Sequence, residues 1–243
     1  MSRTSLTRHS LDALYCRFTH RRFVAPDPLQ HLYAWEDIAE REIAGLIAAV
    51  FAFGRVELIV DIVGRILEVC GPSPRRYVLD VTPARIRRDF RRFRYRFVDA
   101  DDLVIFFCGM RRVLEHYGSL EKCIARGASP DHPDAIPALQ FLVDELRADG
   151  EGTYLLTPPA RGSACKRLNL FLRWMVRRDA VDPGGWTALS PAQLVMPLDT
   201  HIFRICRAAG FTRRHQPNLP TALDITRAFR AVSPRDPVKY DFA

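Results

Sequence analysis

The sequence predicts an all-α protein. Apolar residues recur at spacings of three and four along most of the chain, serine, threonine, aspartate, glycine and proline punctuate those stripes, and no strand signal of any strength interrupts them. With 243 residues, 48% of them hydrophobic and 26% charged, the chain can bury a sizeable core. That balance belongs to a folded protein and argues against disorder. No internal repeat and no low-complexity segment is present.

The elements follow in order. Ser10 stands before Leu11, Leu14, Tyr15 and Phe18, a helical stripe with its own N-cap. Asp27-Pro28 opens a short helix through Leu29, Leu32 and Tyr33, with proline at the first helical position. Ile43, Leu46, Ile47, Val50 and Phe51 share the next face. After Gly54 a second stripe runs from Val56 to Leu67 until Gly71-Pro72 ends it. Thr82-Pro83 starts another helix, leading into "ARIRRDFRRFRYRF" (84–97), where seven arginines interleave with four aromatics. Asp99 to Asp102 open a helix that ends near Gly118, and Ser119 caps a short one through Ile124. Ile136, Leu139, Leu142, Val143 and Leu146 stripe the next. "GEGTYLLTPPARGSA" (150–164) is a turn-rich connection. It feeds a helix whose apolar arc, including Leu168, Phe171, Leu172 and Met175, is wide enough to be central to the core. "DPGGW" (182–186) breaks the pattern, and "SPAQL" (190–194) reads as a short helix. Ile202, Ile205, Cys206 and Ala209 share a face after Asp199. Thr221 and Asp224 have capping-box spacing before a last helix. The total is roughly ten helices.

Composition narrows the partners. The net charge is +8, and the excess is almost all arginine, since the only lysines are Lys122, Lys166 and Lys239. A basic surface favours polyanions such as nucleic acid. Six cysteines are scattered singly, none closer than fifteen positions to the next. That spacing fits neither a zinc site nor an iron–sulfur site, so no metal and no cofactor is expected, and the thiols are expected reduced. The longest uncharged apolar run, from Ile43 to Gly54, is too short to span a bilayer. "MSRTSLTRHS" has no signal-peptide pattern, so a cytoplasmic protein with no membrane partner is expected.

Two segments can carry chemistry. In "PPARGSACK" (158–166) a glycine-containing turn enters the buried helix with Lys166 in its first turn. In "PLDTHIFRI" (197–205) Asp199 stands at a helix start, where it is either an N-cap or the carboxylate of an active site. A lysine facing such an aspartate makes a nucleophile and acid/base pair when the amine is partly desolvated. The arginine run is either a solvated face over an aromatic core or a surface for backbone contact and base stacking. Trp186 either stacks on a flipped base or covers the core, and helix packing explains Phe53. Lys239 is the rival nucleophile if the terminal segment folds back.

"LDTHIFRICRAAGF" (198–211) resembles the segment around the catalytic aspartate of the helix-hairpin-helix DNA glycosylases of the endonuclease III superfamily. In that family an aspartate followed by Thr-His caps the helix facing the lesion, and Asp199 falls on it. "PPARGSACK" is similar to the family's hairpin and catalytic lysine: Pro159 and Gly162 approximate the turn, and Lys166 falls on the lysine. The double-glycine hairpin and the C-terminal four-cysteine loop of endonuclease III are absent. The 33 positions between Lys166 and Asp199 resemble the spacing of the archaeal 8-oxoguanine glycosylase branch. From "DPLQHLYAW" (27–35) to "DPVKYDFA" (236–243), the chain also resembles a bacterial family of about this length described by its similarity to that superfamily.

The resemblance implies a two-lobed glycosylase-like fold. One lobe covers 36–185 and ends in the hairpin-like turn and the Lys166 helix; the other joins 1–35 to 186–243 and carries Asp199. It implies a monomer that acts on double-stranded DNA, flips out a damaged base, 8-oxoguanine above others, and excises it by Lys166 Schiff-base chemistry assisted by Asp199, with AP-lyase activity. The implied DNA contacts are Arg55, Gly162, Ser163, Arg167, His201 and Arg204. The alternatives are a non-catalytic helix-hairpin-helix DNA-binding protein and an all-α enzyme acting on RNA or a nucleotide.

Overall fold

A computed structural model describes residues 7–147 and 152–243. Most of the opening segment and residues 150–151 of the turn-rich connection lie outside these. The described residues form a predominantly helical fold. The elements are α1 (Arg8–Phe18), α2 (Ile38–Val50), α3 (Val56–Cys70), α4 (Pro74–Asp80), α5 (Pro83–Asp89), α6 (Ala100–Tyr117), α7 (Leu120–Gly127), α8 (Ile136–Leu146), α9 (Lys166–Val176), α10 (Thr200–Ala208) and α11 (Leu219–Val232). Short 3-10 turns at Pro28–Ala34, Pro159–Arg161 and Pro191–Gln193 and the antiparallel pair β1 (Arg94–Tyr95) and β2 (Val98–Asp99) complete the elements that shape the site. Among the described residues no helix is long and apolar enough to cross a membrane.

Local chemistry explains the boundaries. Asp27, Asp37, Ser73, Thr82, Ser119 and Asp199 each accept a backbone N–H from the first turn they precede, satisfying donors that a helix start leaves open. Asp99 and Asp102 make a reciprocal capping box, and Gly118 closes α6 in the left-handed region.

Four expectations are corrected. The cap of α1 is Thr7, and Ser10 lies inside the helix, donating its hydroxyl back to the Thr7 carbonyl. The cap of α11 is Asn218, not Thr221, whose hydroxyl bonds Gln216 O and Asn218 Oδ1. Ser73-Pro74 starts a helix, α4, where only a break was expected. The arginine run is helical only through Asp89; it then turns and pairs Tyr95 with Val98 across a two-residue tip, Arg96-Phe97.

Two apolar cores form. The larger is built around α2, whose residues from Glu42 to Val50 are all buried, with α3, α6, α7, α8 and α9 around it. The smaller joins Leu11 of α1 to Val195, Met196, Leu198, Cys206, Ala222, Ile225, Phe229 and Tyr240. This smaller core draws on both ends of the chain. The Pro28–Ala34 turn packs on α2 and α3 and places Leu29 and Leu32 in the larger core, which also takes in Trp186, Leu194 and Val238.

A buried ionic cluster joins the two parts. Arg173, 3% exposed, bonds Asp182 and Asp241. Arg177, 4% exposed, bonds Asp179, Asp182 and Asp236, and Tyr15 donates to Asp179. Desolvation of charges this deep is costly, and mutual pairing is what offsets it. The cluster fixes α9 simultaneously to α1, to the 179–182 turn and to the 236–241 segment. Lys239 and Tyr240 extend the same clasp by bonding Asp12 at 2.6 and 2.9 Å.

Candidate active site

Lys166 stands at the head of α9 because of the turn before it. Pro159–Arg161 makes one 3-10 turn and Gly162 follows at φ 77°, the left-handed conformation that glycine takes without steric penalty. Gly162 O then accepts the Leu219 N–H at 2.9 Å, and Ser163 bridges to Asn218, which holds the turn against the start of α11. Cys165 is left-handed too, at φ 47°, a conformation strained for a side chain with a Cβ. The Ser163 hydroxyl accepts the Cys165 N–H, and Asn169 Nδ2 bonds Ala164 O, so the strained step is fixed on both sides.

Asp199 is positioned from the other core. Val195, Met196 and Leu198 are buried there, so the chain reaches Asp199 as a fixed strand of backbone. Its Oδ1 accepts both the His201 and Ile202 N–H groups at 2.8 Å. Oδ2 accepts no hydrogen bond among the described residues. Asp199 is thus a cap through one oxygen and keeps the other available.

Lys166 and Asp199 line one cleft of about 490 Å³, together with Ala52, Phe53, Tyr154, Ser163 and Pro217. Lys166 is half-buried and makes no hydrogen bond or ion pair among the described residues. Two further carboxylates interact with the pair through space, Asp27 with Lys166 and Asp241 with Asp199. Burial raises the Asp27 carboxyl above its ordinary range, opposed by the Leu29 N–H and by the charges of Arg173 and Lys166. Burial also raises that of Asp241, opposed by Arg173 and reinforced by the negative charges of Asp182 and Asp199. No group of three or more His, Cys, Asp and Glu side chains among the described residues is arranged to hold a metal ion.

The other expected site residues scatter. Ser163 lines the cleft, and Gly162 sits exposed in the turn beside it. Arg55, His201 and Arg204 are exposed and outside the cleft lining. Arg167 lines the cleft, but its guanidinium is committed to the protein. It bonds Val50 O at 2.7 Å and Tyr154 O at 2.6 Å and lies over the Phe53 and Tyr154 rings. Satisfying the carbonyl at the end of α2 takes precedence over contact with a partner. Trp186 is 4% exposed and packs edge-on against Phe171, so it covers the core. Lys239, the rival amine, is tied to Asp12 and lies over the Tyr15 and Tyr240 rings, away from the cleft lining.

Reasoning from the sequence gave no site role to Tyr154, Asp27 or Asp241, and weighed Phe97 only as one aromatic of the 84–97 run. Tyr154 and Phe53 line the cleft, and Phe97 packs on both, with ring centroids 4.2 Å from Tyr154 and 5.7 Å from Phe53. The alternation Arg94-Tyr95-Arg96-Phe97 is a period-two pattern and was the available signal for a hairpin there.

Comparison with known proteins agrees over nearly the whole chain with one family. The family model described as "Protein of unknown function (DUF2400)" matches residues 27–243. No curated protein and no solved structure matches. The matched span takes in the Pro28–Ala34 turn, the Lys166 turn, the Asp199 helix and the 236–241 segment that anchors them, and on that extent the chain belongs to the DUF2400 family.

Proposed function

We propose that the chain is a DNA base-excision glycosylase with AP-lyase activity, acting as a monomer on double-stranded DNA. One observation carries the reading: Lys166 and Asp199, drawn from separate segments, line the same cleft, the lysine without a partner and the aspartate with one oxygen uncommitted. The cleft volume of about 490 Å³ falls within the range of roughly 300–1,000 Å³ typical of small-molecule sites. That is room for a single flipped nucleotide.

In this reading the Asp199 Oδ2 faces the positive charge that develops at C1′ as the glycosidic bond breaks, and accepts a proton from Lys166. The neutral Nζ attacks C1′ and the bonding pair leaves with the base, which takes up a proton. Cleavage of C1′–O4′, with a proton passing from Nζ to O4′, gives a Schiff base at C1′; loss of a C2′ proton then breaks the C3′–O bond and releases the 3′-phosphate. The substrate favoured by the 33-position Lys–Asp spacing is 8-oxoguanine.

Borohydride trapping on lesion-bearing and abasic duplexes tests the proposal. Wild type and Lys122→Gln should be trapped covalently, and Lys166→Gln should not. Asp199→Asn should still bind DNA while its excision rate falls by about 10²–10³. Excision without trapping would assign the attack to water. Neither activity on a panel of lesions would leave a non-catalytic DNA-binding protein.

A further inference from the structure

Beside the cleft mouth stands a set of aromatic rings that the proposed chemistry does not use. Phe51, Phe53 and Phe97 form a near-parallel series, with interplanar angles of 19° and 15° between successive rings. The series runs from the core to solvent: Phe51 is fully buried, Phe53 is half-buried and Phe97 is 54% exposed. Tyr154, 47% exposed, stands edge-on to both Phe53 and Phe97. Phe97 and Tyr154 are exposed side by side, so they form a patch and not scattered single residues.

The hairpin that presents Phe97 is built with strain. Arg96 occupies its two-residue tip at φ 57°, where glycine or asparagine is the unstrained choice. Tyr95 anchors the hairpin by donating to Phe53 O at 2.6 Å. The approach is close enough that only glycine fits at position 54, since a β-carbon there would lie 2.8 Å from the Tyr95 hydroxyl. The tip is thus held over Phe53 by specific contacts.

Charge separates the two halves of the arginine run. Arg85, Arg87 and Arg88, on α5, each pair with Asp89 or Asp101. Arg91, Arg92, Arg94 and Arg96, on and before the hairpin, are exposed and have no carboxylate partner among the described residues. Unpaired guanidinium groups around an exposed aromatic face are complementary to a strand with phosphates outside and a base turned inward.

We propose that Phe97, backed by Phe53 and Tyr154, stacks one unpaired nucleobase of the bound DNA strand, adding a further ring to the series that begins at Phe51. The hairpin arginines hold the phosphates on either side. The base on the platform lies outside the cleft, so it is a neighbour of the nucleotide that enters it. The preferred DNA therefore contains an unpaired nucleotide next to the target. The inference rests on the DNA-binding part of the proposed function and is independent of the Lys166 and Asp199 chemistry.

The test compares affinities of the full chain, by fluorescence anisotropy at one salt concentration, for two DNAs. One is a fully paired duplex, and the other is the same duplex with one additional unpaired nucleotide bulged at its centre. Wild type should bind the bulged DNA about tenfold more tightly, as a single base–aromatic stack provides. Phe97→Leu, which keeps an apolar side chain at the hairpin tip, should lose that preference and leave the affinity for paired duplex within twofold of wild type. Phe97→Trp should retain or increase the preference. Equal binding of both DNAs by wild type overturns the platform while sparing the DNA reading. An undiminished preference in Phe97→Leu also overturns it. No binding of either DNA at low salt overturns both.

Discussion

Replacing Glu42 with glutamine should remove a large part of the pH dependence of stability between about pH 4.5 and 7. Glu42 is 1% exposed and lies within the larger core. Its two carboxylate oxygens accept the N–H groups of Leu120 and Glu121 at 2.9 and 3.2 Å, capping α7 from α2. Burial pushes its carboxyl up from 4.5 to about 7, against the pull of those N–H groups and of Arg75. A raised carboxyl means that the folded chain holds a proton the unfolded chain has already lost. The stabilisation is complete below pH 4.5 and disappears as pH rises through 7. At about 1.4 kcal/mol per unit, the loss is roughly 3 kcal/mol, a large fraction of the ~5–15 kcal/mol that holds a domain folded. Burial lowers the His31 imidazole, which makes stability rise with pH in the region below 6.5, so the two effects oppose each other in wild type. The informative quantity is therefore the difference between wild type and Glu42→Gln, in which His31 cancels. Urea unfolding at half-unit intervals from pH 4.5 to 8 measures it. The variant should gain about 3 kcal/mol on wild type across the range. Parallel profiles would mean that Glu42 ionises near its ordinary pH and that the burial argument fails.

Four further outcomes are expected. Gly54→Ala should lower stability by about 1–3 kcal/mol, read from the thermal midpoint, because the residue sits at φ 114° and the new methyl would collide with the Tyr95 hydroxyl. Arg173→Met should cost about 3–5 kcal/mol in urea unfolding, since it leaves Asp241 buried without its partner and Asp182 with Arg177 alone. Asp199→Ala should lose about 1 kcal/mol and Asp199→Asn only a few tenths, because asparagine can still accept the His201 and Ile202 N–H groups. Duplex affinity should fall steeply with salt, and Arg91→Gln with Arg92→Gln should reduce the slope of log K against log salt by about 1 each. A salt-independent affinity would contradict the polyanion reading.

The helices that shape the cleft were legible because local pattern and tertiary demand agree. α2, α3 and α9 carry broad apolar arcs, and Asp27, Thr82, Ser119 and Asp199 sit where capping chemistry predicts. Where several local signals compete, the reading failed. Asn218 and Thr221 are both good caps, and Pro220 decided for the earlier start because proline belongs in a first turn. In the 84–97 run, the helix start at Thr82-Pro83 masked a hairpin only two residues long on each side. Lys166 and Asp199 stood out by resemblance. The same resemblance implied one cleft for both, and they line one; what holds them there was not legible, because the clasp of Arg173 and Arg177 reaches carboxylates up to 68 positions away. Asp27 signalled a helix start but no place near the cleft, and Asp241, between Tyr240 and Phe242, gave no signal.

That clasp also orders events during synthesis. Asp12 and Lys239, bonded in the folded protein, are separated by 227 positions, and Tyr15 and Asp179 by 164. Contacts this distant form slowly because a long loop must close before they contribute. On the ribosome all of the larger core except Val238 can assemble from residues up to Leu194 while α1 waits without its packing partners. Arg173, already turned into that core, lacks Asp241 until the end of the clasp emerges. The wall bearing Asp199 therefore docks late. A chain arrested before Asp236 would leave Arg173 without Asp241 and Arg177 without Asp236, a form suited to capture by chaperones or proteases.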